Sequence, residues 1–206
     1  MSAERPELLD AQLEALSIAA KETGADVRVM APMVATVEEA AWFARRVREN
    51  GLPKGGVMIE VPAAALRSAH VLAEVEFGSI GTNDLAQYTM AADRMQGELS
   101  DLLDPWQPAV LDVVAAACEG AASTGRPMGV CGESAGDPLL ALVLTGLGVS
   151  SLSMAPSKVP VVRLALSLHS LPECQGIAAA ARAAATAREA LEAVRELALD
   201  ELTDLL

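Results

Sequence analysis

The sequence predicts an α/β protein, a partial (β/α)8 (TIM) barrel of about five parallel strands with their helices. Three observations lead there. Short apolar runs of strand length alternate with longer stretches of helical spacing. Three of those runs end, just before a helix, in side chains able to do chemistry: Glu60, then Asn83 with Asp84, then Cys131 with Glu133. That is the pattern at the carboxyl ends of strands in parallel sheets and barrels. Five strands can be read in 206 residues, where a closed barrel takes eight in ~250, so the chain reads as the later part of a barrel that begins elsewhere.

Residues 4–23 carry Leu8, Leu9, Leu13, Leu16 and Ile18 at roughly helical spacing, with Gly24 as the stop, so the chain opens on a helix. Residues 27–32 read as the first strand. Thr36 and Glu39 make a capping box for a helix to about Asn50, ended by Gly51 and Pro53. The second strand ends in Glu60, and Pro62 suits the first turn of a helix that continues to about Glu74. The third strand ends in a polar turn, Gly81-Thr82-Asn83-Asp84, where Gly81 permits a tight fold and Asp84 can cap the next helix. From Leu85 to about Asp104 the chain reads as a long connection with one short helix, carrying Asp93 and Arg94. Residues 108–123 form a helix stopped by Gly125 and lead to the strand ending in Cys131. Asp137 and Pro138 open a leucine-rich helix to about Gly146, and residues 151–155 and 159–168 are the last strand and its helix. Beyond Pro172 the alanine-rich run with Arg182, Arg188, Glu189 and Glu192 reads as one long helix, solvated or covering a partner. The organisation is thus a barrel domain over residues 1–172 and a C-terminal helix over 173–206.

Composition narrows the function classes. Hydrophobic residues are 52% of the chain but aromatics only 2%, so the core is aliphatic, with eight methionines as adaptable filler. A net charge of -13, from 15 basic and 28 acidic residues, argues against nucleic-acid or anionic-membrane binding. Cys118, Cys131 and Cys174 are too widely spaced for a disulfide framework and fit reduced thiols in a cytoplasmic protein. Neither they nor His70 and His169 show zinc-ligand spacing. No apolar run has membrane length, and no signal core opens the chain.

Taken together, Val57-Met58-Ile59-Glu60-Val61-Pro62, Ser79-Ile80-Gly81-Thr82-Asn83-Asp84-Leu85 with Asp93-Arg94, and Cys131-Gly132-Glu133-Ser134-Ala135-Gly136 closely resemble the phosphoenolpyruvate-binding barrel of Enzyme I of the bacterial sugar phosphotransferase system. The ordered match extends from about Val27 to Met154. Pyruvate phosphate dikinase and phosphoenolpyruvate synthase share that barrel, but Thr89-Met90-Ala91-Ala92-Asp93-Arg94 is more similar to Enzyme I.

The resemblance implies that Glu60 and Asp84 hold Mg2+, a cation suited to one or two carboxylates plus substrate oxygens. It implies that Asn83, Asp84 and Arg94 bind the substrate, Asn83 donating from its amide and Arg94 offering paired donors to the phosphoryl group. Cys131 corresponds to the proton donor that releases pyruvate. On their own residues, Glu60 also reads as a strand-end salt bridge, Asp84 as a helix cap, Arg94 as a surface arginine and Cys131 as a core thiol. Glu133 reads equally as an orienting group or a structural ion pair. The implied partners are phosphoenolpyruvate, a histidine phosphocarrier protein and a second copy of the chain in a homodimer.

The pattern also departs from the family. Two further phosphate-binding arginines and the phosphohistidine domain are absent, neither His70 nor His169 has the acceptor's Gly- and Ala-rich surroundings, and Gln107 stands where the family often has histidine. The expectation is an incomplete fragment, inactive alone, with two unpaired sheet edges that favour association or marginal stability. Alternative functions are a Mg-dependent carbon-carbon lyase of the related barrels, which needs neither Cys131 nor Arg94, and a non-catalytic dimerisation module.

Overall fold

In the computed structural model, which describes residues 4–203, five strands form one parallel sheet in sequential order. They are β1 (Val29–Ala31), β2 (Gly55–Ile59), β3 (Phe77–Gly81), β4 (Met128–Cys131) and β5 (Ser151–Leu152). Because every pairing is parallel, all five carboxyl ends lie along one edge, where each strand hands the chain to a helix. Among the described residues β1 and β5 each pair with one strand only, so these short strands are the two edges of the sheet.

The helices begin and end where local chemistry dictates. Helix α1 (Pro6–Thr23) has Pro6 in its first turn and stops at Gly24, whose φ of 69° is left-handed. Helix α2 (Val37–Glu49) carries the complete Thr36–Glu39 capping box and buries Ala40, Phe43, Ala44 and Val47. Helix α6 (Pro108–Thr124) closes on Gly125 at φ 65°. Helix α7 (Pro138–Gly146) is capped by Asp137, whose carboxylate accepts from the Leu139 and Leu140 amides at 2.8 and 3.0 Å. Residues 139–144 of α7 are all buried because the helix is covered on more than one side.

Three parts differ from the sequence expectation. The helix after β2 is two, α3 (Pro62–Leu66) and α4 (Ser68–Ala73), interrupted at Arg67 with φ -111° and ψ 18°. The stretch after β3 is mainly helical from the start: α5 (Thr82–Met90) begins directly at the strand end, and the 3-10 turns of residues 97–103 follow. Helix α8 (Val159–Leu168) follows β5 as expected, but the alanine-rich run divides into α9 (Leu171–Ala183), α10 (Ala187–Leu197) and α11 (Asp200–Thr203). The break between α9 and α10 falls at Thr186, which caps α10 by accepting from the Glu189 amide at 3.2 Å. These helices are not simply solvated: Cys174, Ile177, Ala181, Ala190, Val194 and Leu202 join α7 in a second core.

The first core lies between sheet and helices, with Val57, Ile59, Ile80 and Val130 from the strands and Leu72 and Val114 from the helices. In α1, by contrast, only Leu13 and Ser17 are buried, and Leu8, Leu16 and Ile18 stay exposed.

His169 has a structural place. Its Nδ1 lies 2.8 Å from the Ala165 carbonyl and its Nε2 accepts from the Leu199 amide at 3.1 Å, tying the end of α8 to the link between α10 and α11. With both ring nitrogens engaged, His169 has no free nitrogen for chemistry.

Candidate active site

The register of the central strands brings the expected residues to one rim. Ile59 pairs with Ile80 and Gly81 with Cys131, so Glu60, the Gly81 turn and Cys131 occupy successive positions across neighbouring strands about 4.8 Å apart. Asn83 and Asp84 fall in the first turn of α5, immediately beyond.

Glu60 is a buried carboxylate, 3% exposed. Its Oε1 accepts from the Met33 amide at 2.7 Å, and Met33 holds a left-handed φ of 56° to present that N–H. No hydrogen bond reaches Oε2 among the described residues. Gly81 makes room for it: a Cβ there would stand 2.5 Å from Oε2 and 3.0 Å from the Glu60 Cβ. Burial pushes the Glu60 pKa above the ordinary carboxylate value, the Met33 N–H partly opposes this, and the Asp84 charge raises it further. Asp84 itself is half-buried and, contrary to its reading as a cap, makes no capping hydrogen bond to α5.

A buried carboxylate with a raised pKa costs stability wherever it is ionised. Glu60→Gln, which can keep the Met33 hydrogen bond, is therefore expected to raise the melting temperature of the metal-free chain at pH 7 by a few degrees, at about 2–4 °C per kcal/mol. The difference from wild type should close as pH falls through the raised pKa, because Glu60 then protonates and loses its buried charge. Thermal melts from pH 7 to pH 4 check this, and an unchanged or lowered melting point at pH 7 would contradict it.

Cys131 is half-buried, and its thiol lies 3.5 Å from the Ile80 carbonyl. The other thiols are withdrawn: burial pushes Cys118 up to about 12 and also raises Cys174. Beyond Cys131 the chain turns through Gly132 at φ 95°, where a Cβ would meet Thr82 Oγ1 at 2.9 Å. The Thr82 hydroxyl also donates to the Cys131 carbonyl at 3.3 Å, binding the start of α5 to the end of β4.

Beside this rim is a cavity of about 1200 Å³ between the exits of β3, β4 and β5. Asn83 and Arg94 line it, with Gly132, Glu133 and Lys158, over an apolar floor that includes Leu111 and Leu140. Glu60, Asp84 and Cys131 are not in its lining, so the sequence-derived set falls into two adjoining groups linked at Asn83–Asp84. Sequence reasoning passed over two contributors. The Met33 amide depends on a positive φ that residue type does not signal, whereas Lys158 could have been found from its place just beyond β5.

The fold and this rim define a parallel α/β protein of partial-barrel type with carboxylates, an amide and a thiol gathered where its central strands end. The family described as PEP-utilising enzyme, PEP-binding domain, matches residues 1–170, and the chain belongs to that family. Among curated relatives, the phosphoenolpyruvate-protein phosphotransferase of Streptomyces coelicolor is 55% identical over 193 residues, covering 93% of this chain and 35% of that protein. The multiphosphoryl transfer protein of Xanthomonas campestris is 44% identical over 200 residues, 93% of this chain and 24% of its own length. The phosphoenolpyruvate-protein phosphotransferase of Bacillus subtilis is 35% identical over 205 residues, 94% of this chain and 36% of that protein. The chain thus spans about a third of the length of the phosphotransferases it matches. No helix among the described residues is long and apolar enough to cross a membrane.

Proposed function

We propose that this chain is the phosphoenolpyruvate-binding part of a cytoplasmic phosphoenolpyruvate-protein phosphotransferase of the sugar phosphotransferase system. The whole enzyme moves a phosphoryl group from phosphoenolpyruvate to a histidine, releases pyruvate, and passes the group to a histidine phosphocarrier protein. Phosphoryl transfer needs segments beyond these residues, so the isolated chain binds substrate without turning it over, and a second copy pairs with it through the barrel.

The observation that carries this reading is the strand-end cluster of Glu60, Asn83, Asp84 and Cys131. Its donor set suits Mg2+: Glu60 Oε2 is left without a hydrogen bond, Asp84 is not spent on a cap, and the two carboxylates lie close enough for one to raise the other's pKa. Glu60 and Asp84 would hold the ion, which supplies charge neutralisation at phosphate and enolate oxygens when bound. Asn83 donates its amide to a phosphate oxygen without adding negative charge. Arg94 grips the phosphoryl group through its planar guanidinium. When the bond between the bridging oxygen and phosphorus breaks, the phosphoryl group goes to the histidine. The thiol of Cys131 gives its proton to the methylene carbon, leaving pyruvate and a thiolate.

Calorimetric titration tests this. The 206-residue chain should bind phosphoenolpyruvate only with Mg2+ present. Asp84→Ala should weaken that binding by roughly 100-fold, since changes even to the outer partners of a metal site cost about 10–100-fold. Equal binding with and without Mg2+, or an unaffected Asp84→Ala variant, would count against the assignment.

A further inference from the structure

We infer that Lys158 is an additional substrate-binding residue, holding the carboxylate end of a small phosphate- and carboxylate-bearing ligand while Asn83 and Arg94 hold its phosphoryl end. The inference rests on the proposed phosphoenolpyruvate reading and adds a residue to it.

Arg94 and Lys158 are the cations lining the cavity. They reach it from different sides, Arg94 from the segment after α5 and Lys158 from the turn of residues 156–158 after β5. Neither guanidinium nor ammonium has a salt bridge or side-chain hydrogen bond among the described residues, whereas Arg46, Lys54 and Arg182 each pair with an aspartate. In a chain of net charge -13, two unpaired cations on one cavity offset a field that would otherwise repel a small anion.

Two acids also face the cavity, with unequal effect. The Asp137 carboxylate is engaged by two amides at the start of α7, whereas Glu133 is exposed to solvent, as Arg94 and Lys158 are, so screening weakens these three charges alike.

Lys158 is also placed to present its charge. Its amide donates to the Ala155 carbonyl at 2.9 Å, fixing the turn. Its aliphatic stem lies along buried Gly136, where a Cβ would come within 3.2 Å of Lys158 Cγ and 3.4 Å of its Cβ. A stem held this way leaves only the outer torsions to be ordered on binding.

The test measures affinity in the 206-residue chain with Mg2+, using phosphoenolpyruvate and inorganic phosphate as probes for wild type, Lys158→Met and Lys158→Arg. Lys158→Met should weaken phosphoenolpyruvate about tenfold, leave inorganic phosphate within about twofold, and keep the wild-type melting point because this side chain makes no structural bond. Lys158→Arg should restore most of the lost affinity. If wild type and Lys158→Met bind phosphoenolpyruvate equally, or if the variant loses both probes alike, the assignment of Lys158 to the carboxylate is overturned and the phosphoenolpyruvate reading survives. A wild-type chain with no phosphoenolpyruvate binding overturns both.

Discussion

Cys131→Ala, introduced into a complete phosphotransferase carrying this barrel, is expected to slow pyruvate release by about 10²–10⁴-fold, the usual contribution of a positioned acid, with little change in phosphoenolpyruvate affinity. The reasoning begins with access. A proton donor for the methylene carbon must stand where substrate can reach it, and of the three thiols Cys118 and Cys174 are buried, with pKa values raised by that burial. Cys131 is half-buried at the end of β4, in register with the Gly81 turn and two strands from the Glu60 position. Cys131→Ser keeps nearly the same size but holds its proton more tightly, so it should fall with the alanine variant. The measurement is a split between chemistry and binding: pyruvate formation followed in a single turnover, beside a titration of substrate. Near-wild-type pyruvate formation by Cys131→Ala would remove Cys131 from the reaction as its proton donor.

Much of the arrangement was legible because it is written in local chemistry. Gly24 and Gly125 mark helix ends by adopting a left-handed φ that other residues resist, and Thr36 with Glu39 satisfies free amides reciprocally, so these boundaries follow from residue type. The strand ends at Glu60, Gly81 and Cys131 were legible for a different reason: an apolar run that stops at a polar group before a helix leaves few alternatives in a parallel sheet.

What escaped was set by tertiary packing. In residues 173–206 nearly every small residue is alanine, so both faces of a helix look alike and periodicity cannot say where one helix stops or which side is covered. The break before α10 is signalled only by the single cap at Thr186. Arg67 interrupts the helix after β2 with no Gly or Pro to announce it, and its place coincides with the close crossing of α4 by α6. At that crossing a Cβ on Gly120 would lie 2.5 Å from the Ala69 amide nitrogen. The hold on Glu60 escaped too, because a Met33 amide turned by a positive φ depends on the path of the whole loop.

The packing of the terminal helices yields the second large expectation. Gly146→Ala should destabilise the chain by about 3 kcal/mol, the upper part of the range for overpacking, and lower its melting temperature by roughly 10 °C. Gly146 ends α7 against α9, and a Cβ there would stand 2.5 Å from the Cys174 carbonyl carbon, closer still to the carbonyl oxygen, and 2.9 Å from the Ala178 Cβ. Two of those obstacles are backbone atoms, which no rotamer change can remove, so α7 and α9 must move apart. That movement opens the core in which Leu140 and Val143 meet Ile177 and Ala178. Gly176, on α9, has by contrast nothing within 4 Å of an added Cβ, so Gly176→Ala should be neutral or slightly stabilising through helix propensity. Parallel melts of the two variants separate a general sensitivity of α9 from this one crossing. If Gly146→Ala melts with the wild type, α9 does not lie against α7 as described, and the terminal helices are not part of this core.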